Sequence, residues 1–340
     1  MRTLGLDIGG ANLKASDGEA LSVSIPFPMW TDWKQLPAAL SELIDQFGAV
    51  DRLAVTMTGE LADCFPTKSA GVNFILDAIA EAAGKREVLI WQSGGEFVDV
   101  STARDITSLV AAANWHVLAT WCARLTTSGR GVLIDIGSTT TDIIPLELGV
   151  PMPTGRTDPE RLASGELLYF GVRRTPLIGI LHTTTLGGVE RPLANELFAT
   201  TYDVFLVLNE LPEQPESTDT ANSRPVTIEE AFSRLARQLC GDTEEFTRDE
   251  LLEFAEQCRA TLIGRGVSAL RTVCEGTIPE TVVISGEGGF LAEQLISNAF
   301  DGSSEVLNLR STLGELHSNC ACAFALARLG ANQPEEIAWL

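Results

Sequence analysis

The sequence contains two similar stretches, LGLDIGGANLK at residues 4–14 and VLIDIGSTTTD at residues 132–142. In each, an apolar run ends in Asp-Ile-Gly and a turn of small residues follows. Short apolar runs separated by glycine-rich turns are typical of β-strands joined in a hairpin. When the two stretches are aligned, Asp7 falls on Asp135. The same element at the head of each half indicates an internal duplication, which predicts two similar lobes.

The two hairpins have the chemistry of an anion site. A strand that ends in an aspartate places the carboxylate at the carboxyl edge of a sheet, and the glycines beyond it let backbone N–H groups approach a bulky anion. Asp7 and Asp135 are the predicted catalytic residues and the predicted ligands of one Mg²⁺ that keeps several waters. A plain β-turn with an exposed aspartate is the alternative for either hairpin alone. A dinucleotide-binding loop is disfavoured, because the spacing G-x-G-x-x-G is absent.

Further residues are predicted to bind phosphate or to transfer a proton. The predicted phosphate ligands on the hairpins are Gly9, Gly10, Asn12, Lys14, Gly137, Ser138, Thr139, Thr140 and Thr141. Lys68 and Arg174 are predicted phosphate clamps, with a solvated surface role as the alternative. Glu60 and Asp63 follow an apolar strand at residues 53–57, and either could act as a general base or a metal ligand. A capped helix start is the alternative for this pair.

Length and composition limit the classes of protein. A chain of 340 residues is long enough for two lobes of roughly 150 residues. The formal net charge of -22 argues against a nucleic-acid surface, which needs clustered lysine and arginine. The seven cysteines include no C-x-x-C zinc spacing, and no signal peptide or membrane-spanning apolar stretch is recognised. We therefore expect a cytoplasmic protein with reduced thiols and no membrane or nucleic-acid partner.

The remaining pattern predicts an α/β protein. Strands are expected at 2–7, 11–17, 21–27, 53–57, 88–91 and 281–284, and helices at 33–47, 69–84, 104–127, 227–240, 248–275, 290–299 and 320–329. Residues 1–128 are expected to form the first lobe, completed by a C-terminal helix at 318–340. Residues 129–317 are expected to form the second lobe, with an insertion at about 150–225. No linker of disordered composition separates the halves, so the lobes should pack tightly.

Several blocks of sequence resemble a known family. They are MTGELADCF at 57–65, AANW at 112–115, the second hairpin through Pro145, GELLY at 165–169, RTP at 174–176 and NELFATT at 195–201. With the first hairpin, they resemble the acetate and sugar kinase, Hsp70 and actin superfamily. Within it they are most similar to the hydantoinase A and oxoprolinase relatives, specifically the tetrahydromethanopterin-linked one-carbon-transfer proteins. The resemblance implies two RNase H-like lobes of the actin, Hsp70 and sugar-kinase type around a central phosphate-binding cleft.

The resemblance also implies a function, a transferase of methanofuran biosynthesis. Archaeal members of this group are understood to join an aminomethylfuran methyl diphosphate to the phenol oxygen of a tyramine derivative, with release of diphosphate. A small phosphate or diphosphate substrate and Mg²⁺ are the implied ligands, and a homodimer is left open. Two other classes remain: an ATP-dependent kinase or hydantoinase/oxoprolinase-type amidohydrolase, and a nucleotide-switched scaffold similar to actin or a chaperone.

A late glycine-rich turn departs from the pattern of nucleotide-binding relatives. In kinases and chaperones of this superfamily, a glycine-rich motif after a late strand cradles adenosine. The corresponding residues 285–289 read SGEGG, with Glu287 inside the turn. Gly286, Gly288 and Gly289 are therefore alternative nucleotide-binding residues, and the sequence does not decide whether ATP binds.

Overall fold

The computed structural model describes residues 1–126, 129–302 and 304–331. The predicted lobe boundary at residue 128 and the end of the predicted C-terminal helix at 332–340 lie outside the described residues. Within the described ranges, no helix has both the length and the apolar character needed to cross a membrane.

The first half of the chain builds a six-stranded sheet with helices. Its strands are β1 (Thr3–Ile8), β2 (Asn12–Ser16), β3 (Ser22–Pro26), β4 (Arg52–Met57), β5 (Glu87–Gln92) and β6 (Glu96–Val98), in the order β3-β2-β1-β4-β5-β6. Its helices are α1 (Met29–Asp32), α2 (Leu36–Asp45), α3 (Lys68–Ala83), α4 (Val100–Asp105), α5 (Thr107–Val110) and α6 (Asn114–Ala123). Strand β1 is buried along its whole length, as expected for an apolar strand covered on both faces.

The second half builds another sheet and most of the remaining helices. Its strands are β7 (Arg130–Ile136), β8 (Thr141–Glu147), β9 (Val150–Pro151), β10 (Leu167–Leu168), β11 (Thr183–Leu186), β12 (Val189–Pro192), β13 (Thr281–Ser285) and β14 (Glu305–Asn308). Its helices are α7 (Asp158–Ser164), α8 (Thr201–Val207), α9 (Ile228–Gln238), α10 (Arg248–Val273), α11 (Gly289–Ala299), α12 (Leu309–Ser318) and α13 (Ala321–Gly330). The sheet order is β10-β8-β7-β13-β14; β9 also pairs with β8, and β11 with β12 forms a separate hairpin.

The two sheets share one arrangement. In the first, β2 runs antiparallel to β1, while β4 and β5 continue parallel on its other side. In the second, β8 runs antiparallel to β7, while β13 and β14 continue parallel. This repeated order confirms the predicted fold class, an α/β protein with two RNase H-like lobes. The exact lobe boundaries remain a prediction.

One predicted helix is wrong. Instead of a single helix at 104–127, the chain forms α4, α5 and α6, with breaks between them. Ala112 has a φ of 49°, which an α-helix cannot contain, and Ala111 makes an isolated bridge to Met57 at the end of β4. The high helix propensity of the alanines at 111–113 is overridden by this tertiary contact.

The last helix ties the two halves together. As predicted, α13 packs on the first sheet, and Arg52 Nη1 donates to the carbonyl oxygen of Gly330 over 2.7 Å. Helices α6 and α13 also share one hydrophobic core with Leu133 and Val283 of the second sheet. The halves are therefore joined by common apolar packing, as the absence of a disordered linker predicted.

We expect Gly5→Ala to destabilise the protein by about 1–3 kcal/mol, because overpacking a dense core displaces its neighbours. A Cβ atom on Gly5 would lie 1.9 Å from the carbonyl oxygen of Ala323 in α13, and backbone atoms cannot swing aside. Gly264→Ala in α10 is the matched control. Nothing lies within 4 Å of a Cβ there, so helix propensity should make that change neutral or stabilising. Chemical denaturation measures both, and equal midpoints for the two variants would contradict the tight packing of α13 on β1.

Candidate functional site

The two hairpins have the same geometry. In the first, Asp7 lies opposite Lys14 in the strand register, and Gly9 N–H donates to the carbonyl oxygen of Asn12 over 3.0 Å. In the second, Asp135 lies opposite Asp142, and the matching turn bond runs from Gly137 N–H to Thr140 over 2.9 Å. The duplication seen in the sequence is therefore a structural duplication, with a lysine at one position where the other copy has an aspartate.

The tips of both hairpins present backbone donors. Among the described residues, no backbone carbonyl accepts from the N–H groups of Gly10, Ala11, Ser138, Thr139 and Thr140 at these turns. Unpaired N–H groups clustered at a turn form a cradle for an anion. The hydroxyls of Ser138 and Thr139 lie 3.4 Å apart in one hydrogen bond at the second tip, so one of the two O–H groups is left to donate to a ligand.

Not every predicted phosphate ligand is available at the tips. Thr141 is fully buried, and its hydroxyl donates to the carbonyl oxygen of Phe170 over 2.9 Å. Asn12 is exposed at the start of β2. Thr141 therefore holds the hairpin against the neighbouring segment, and the donors offered to solvent come mainly from the backbone.

Glycines bring the next strand of each sheet close to its hairpin. A Cβ on Gly59, just after β4, would lie 3.0 Å from the carbonyl oxygen of Gly9. A Cβ on Gly286, just after β13, would lie 2.3 Å from the carbonyl oxygen of Ile136 and 2.6 Å from Asp135 Oδ1. Gly286 also has a φ of 83°, a conformation that favours glycine. Only glycine therefore allows the segment after β13 to lie against Asp135.

The two aspartates lie in one electrostatic environment. Burial raises the pKa of Asp7, and Lys14 opposes the rise. Burial, with the charges of Asp142 and Asp7, raises the pKa of Asp135 to about 6, against the opposing effects of a hydrogen bond with Ser285 and the charge of Lys14. Burial disfavours the ammonium form of Lys14, yet its acidic neighbours, Asp7 and Asp135 included, leave its pKa above the ordinary value. Asp7, Lys14 and Asp135 are thus brought together from the two halves.

Asp7 and Asp135 fit a shared divalent cation. Asp7 Oδ1 is buried and has no hydrogen-bond partner, and burial makes both carboxylates unfavourable without a counter-charge. Two carboxylates match Mg²⁺, which retains waters and accepts substrate oxygens in its other positions. Across the described residues, no group of three or more His, Cys, Asp or Glu side chains is placed to hold a metal ion. Two carboxylates alone would leave the other positions of such a cation open to water and substrate oxygens.

A buried arginine neutralises the charge of Asp142 in the second hairpin. It was not predicted from the sequence to be functional. Arg161 in α7 is 1% exposed, pairs with Asp142 and lies 3.2 Å from Asp158. Its guanidinium also stacks 4.0 Å above the ring of Trp115 in α6. Arg161 therefore links the second hairpin to a helix of the first half. Asp142 stands in the second hairpin where the first has Lys14. This difference was the sequence signal that a cation must reach the second hairpin from another segment.

Glu60 and Asp63 occupy different environments although they follow the same strand. Glu60 is 1% exposed and its Oε2 has no hydrogen-bond partner, whereas Asp63 is exposed. Burial raises the pKa of Glu60 to about 7; a backbone hydrogen bond from Ala112 and the charge of Lys68 oppose the rise. Lys68 is the first residue of α3 and interacts with Glu60, so the structure gives this lysine a carboxylate neighbour beside its predicted phosphate role.

The two arginines beside the second hairpin are held differently. The N–H groups of Arg173 and Arg174 both donate to the carbonyl oxygen of Ser138. The side chain of Arg174, the predicted clamp, is 41% exposed and lies 3.8 Å from Asp219. Arg173 instead forms a two-point ion pair with Glu287 in the glycine turn. Arg173 was not among the residues predicted from the sequence; its position next to Arg174 and the acidic Glu287 in the glycine turn were the available signals.

The late glycine turn begins a helix and is occupied by this ion pair. Gly288 N–H donates to Ile136 over 2.9 Å, and Gly289 starts α11. A Cβ on Gly288 would lie 2.4 Å from the side chain of Ile136. Gly286 and Gly288 are therefore required by close packing on β7, independently of any nucleotide.

Comparison with known proteins places the chain in a family. Residues 51–333 match the family model described as hydantoinase/oxoprolinase. The chain is 33% identical over 329 residues to the (4-{4-[2-(gamma-L-glutamylamino)ethyl]phenoxymethyl}furan-2-yl)methanamine synthase of Methanocaldococcus jannaschii, covering 96% of each. A synthase of the same name from Methanococcus vannielii is 30% identical over 203 residues, which cover 59% of this chain and 91% of that protein.

Solved structures are more distant. A ROK hexokinase from Thermus thermophilus is 15% identical, with a TM-score of 0.48, and the match covers 98% of this chain and 100% of the hexokinase. The sequence matches over most of the chain, and not this structural likeness, show which family the chain belongs to. The chain belongs to the hydantoinase/oxoprolinase family and is a homologue of the two archaeal synthases.

Proposed function

We propose that the protein is a transferase of methanofuran-type cofactor biosynthesis that displaces diphosphate from a furan methyl diphosphate by a phenol. The name of the M. jannaschii relative describes a product in which a phenoxymethyl group joins a phenol ring to a furan. The observation that supports the proposal most is the 33% identity over 96% of both chains. The paired hairpins add a site of suitable chemistry for a diphosphate leaving group.

In the proposed reaction, the hairpin tips hold the diphosphate. The unpaired N–H groups of Gly10, Ala11, Ser138 and Thr139 donate to its oxygens, and Lys14 contributes a cation at the first hairpin. Mg²⁺ held by Asp7 and Asp135, when bound, would neutralise charge on the departing diphosphate. Donors fixed in advance stabilise that developing charge better than water does, because they need not reorganise.

Glu60 is the proposed general base. The bond between the furan methylene carbon and the diphosphate oxygen breaks, and its electron pair leaves with diphosphate. The phenol oxygen bonds to that carbon, and its proton passes to the Glu60 carboxylate. A buried carboxyl with a pKa of about 7 and one unpartnered oxygen suits a base that works near neutral pH. Asp63, the other predicted candidate, is exposed and lacks this environment.

An ATP-dependent kinase or amidohydrolase is the second candidate. The match to the hydantoinase/oxoprolinase model favours it, because that description names hydrolases of this type. The Arg173–Glu287 ion pair disfavours it, because the pair occupies the turn where the resemblance would place adenosine. The two candidates differ in the ligand that the empty protein should bind.

We expect diphosphate with Mg²⁺ to raise the thermal midpoint of the protein more than ATP with Mg²⁺ at equal concentration. A ligand that binds only the native state stabilises it by about 2.7 kcal/mol at a hundred times its dissociation constant. Differential scanning fluorimetry measures the shifts, with Mg²⁺ alone and sulfate as controls. A large shift with ATP and none with diphosphate would move the kinase or amidohydrolase to first place. Formation of the aryl ether from a furan methyl diphosphate and a tyramine derivative, followed by mass spectrometry, tests the transferase directly.

A further inference from the structure

Arg173 lies where two parts of the proposed diphosphate site meet. Its N–H donates to the carbonyl oxygen of Ser138 at the second hairpin over 3.0 Å. Its guanidinium reaches Glu287, which follows Gly286, and a Cβ on Gly286 would lie 2.6 Å from Asp135 Oδ1. Arg173 is thus held at the second hairpin by its backbone, and its side chain is held by the turn that packs against Asp135.

Arg173 is held in an ion pair with Glu287 that remains partly exposed to solvent. Its ion pair with Glu287 uses both ends of the guanidinium fork, with Nε donating over 2.6 Å. The guanidinium also stacks 4.3 Å above the ring of the buried Tyr202. Arg173 and Glu287 are 21% and 31% exposed, so a ligand in solvent can reach the pair.

We propose that Arg173 is a ligand of the diphosphate and that Glu287 occupies its guanidinium until diphosphate arrives. The proposal rests on the proposed function and identifies a residue that the sequence analysis did not. Phosphate and carboxylate oxygens match the same planar fork of donors, so one can replace the other without moving the arginine far.

The exchange explains how an acidic protein can bind a polyanion selectively. With a net charge of -22, the protein repels free phosphates unless a local cation is available. An unpaired arginine at the site would attract any anion, whereas a paired one yields only to a ligand that also satisfies the hairpin N–H groups. The measured affinity for diphosphate is then lowered, because only the fraction of protein in which Arg173 is released from Glu287 can bind it fully.

Calorimetric titration of diphosphate in the presence of Mg²⁺ tests the proposal on the full chain. Arg173→Met should weaken diphosphate binding about tenfold to a hundredfold, since it removes charge-assisted hydrogen bonds. Glu287→Gln should strengthen binding about threefold to tenfold, because Arg173 is released. In the Arg173→Met background, Glu287→Gln should change the affinity by less than about twofold, because the two residues act through one interaction.

Glu229→Gln is the control. It also removes one carboxylate from an ion pair with an arginine, the exposed Arg248, which has no predicted role in ligand binding, and should leave the diphosphate affinity within about twofold of the parent. An effect of Glu229→Gln equal to that of Glu287→Gln would reduce the result to general charge and overturn the proposal. Weaker binding by Glu287→Gln would do the same, because it would make the pair a structural support of the site.

Two further measurements separate the possible failures. Thermal unfolding without ligand shows whether each variant is folded; if Arg173→Met is not, Arg173→Lys replaces it and should still weaken binding, because lysine cannot bridge two oxygens. If the parent protein binds no diphosphate at all, the proposed function fails. If the parent binds diphosphate and Arg173→Lys binds it equally well, only the assignment of Arg173 fails.

Discussion

Replacing Asp135 with asparagine is expected to lower turnover at least about a thousandfold while the fold stays intact. The change keeps the size of the side chain but removes a charge proposed to hold Mg²⁺ opposite Asp7. Losing several kcal/mol of stabilisation of the departing diphosphate corresponds to a rate loss of this size. Steady-state kinetics with the diphosphate substrate measures the loss, and calorimetric titration with Mg²⁺ should show weaker metal binding in the same variant.

Stability should not fall with activity. Burial and the neighbouring Asp142 raise the pKa of Asp135, so the ionised carboxylate is unfavourable in the folded, empty protein at neutral pH. Asparagine removes that charge, and we expect an unchanged or higher unfolding midpoint for Asp135→Asn. Lys14→Ala should have a milder effect. It should mainly raise the KM for the diphosphate substrate, because one flexible cation is only part of a cradle made mostly of backbone. Near-normal turnover by Asp135→Asn would make Asp135 a structural turn residue and refute the mechanism.

The features that could be predicted from the sequence are those decided by local pattern. An apolar run followed by Asp-Ile-Gly and small residues is typical of a strand that turns at the glycine, so the positions of both hairpins were predicted, whereas their register was not. The duplication then predicted a second sheet like the first. Helix α13 was predicted at 320–329, where alanine, leucine and arginine, all strong helix formers, make up most of the residues.

The features that could not be predicted depend on contacts between distant residues. Glu287 and Arg173 are separated by 114 positions, and nothing local distinguishes Arg173 from Arg174 as the partner. The break at Ala112 has the same origin. A run of alanines favours a helix, but Ala111 bridges to Met57 at the end of β4, and Ala112 takes a positive φ beside that bridge.

Replacing Glu60 with glutamine is expected to lower turnover about a hundredfold to ten-thousandfold, the usual contribution of a positioned general base. With a pKa of about 7, wild-type activity should rise with pH through neutrality as Glu60 loses its proton. Glutamine cannot accept the phenol proton, so the residual activity of the variant should lack this rise. A pH–rate profile measures both effects. Asp63→Asn is the matched control from the same turn, and a loss of activity there with none in Glu60→Gln would make Asp63 the base.

Stability should change with pH in the opposite direction to activity. The pKa of Glu60 is raised above its unfolded value, so the buried protonated carboxyl contributes stability below about pH 4.5, and that contribution is lost as the pH rises through about 7. Glutamine resembles the protonated form at every pH. Glu60→Gln should therefore unfold like the wild type in acid and at a higher temperature than the wild type above pH 7. Equal unfolding midpoints at pH 8 would mean that Glu60 ionises freely, and a freely ionised carboxylate could not be the neutral-pH base proposed for the phenol.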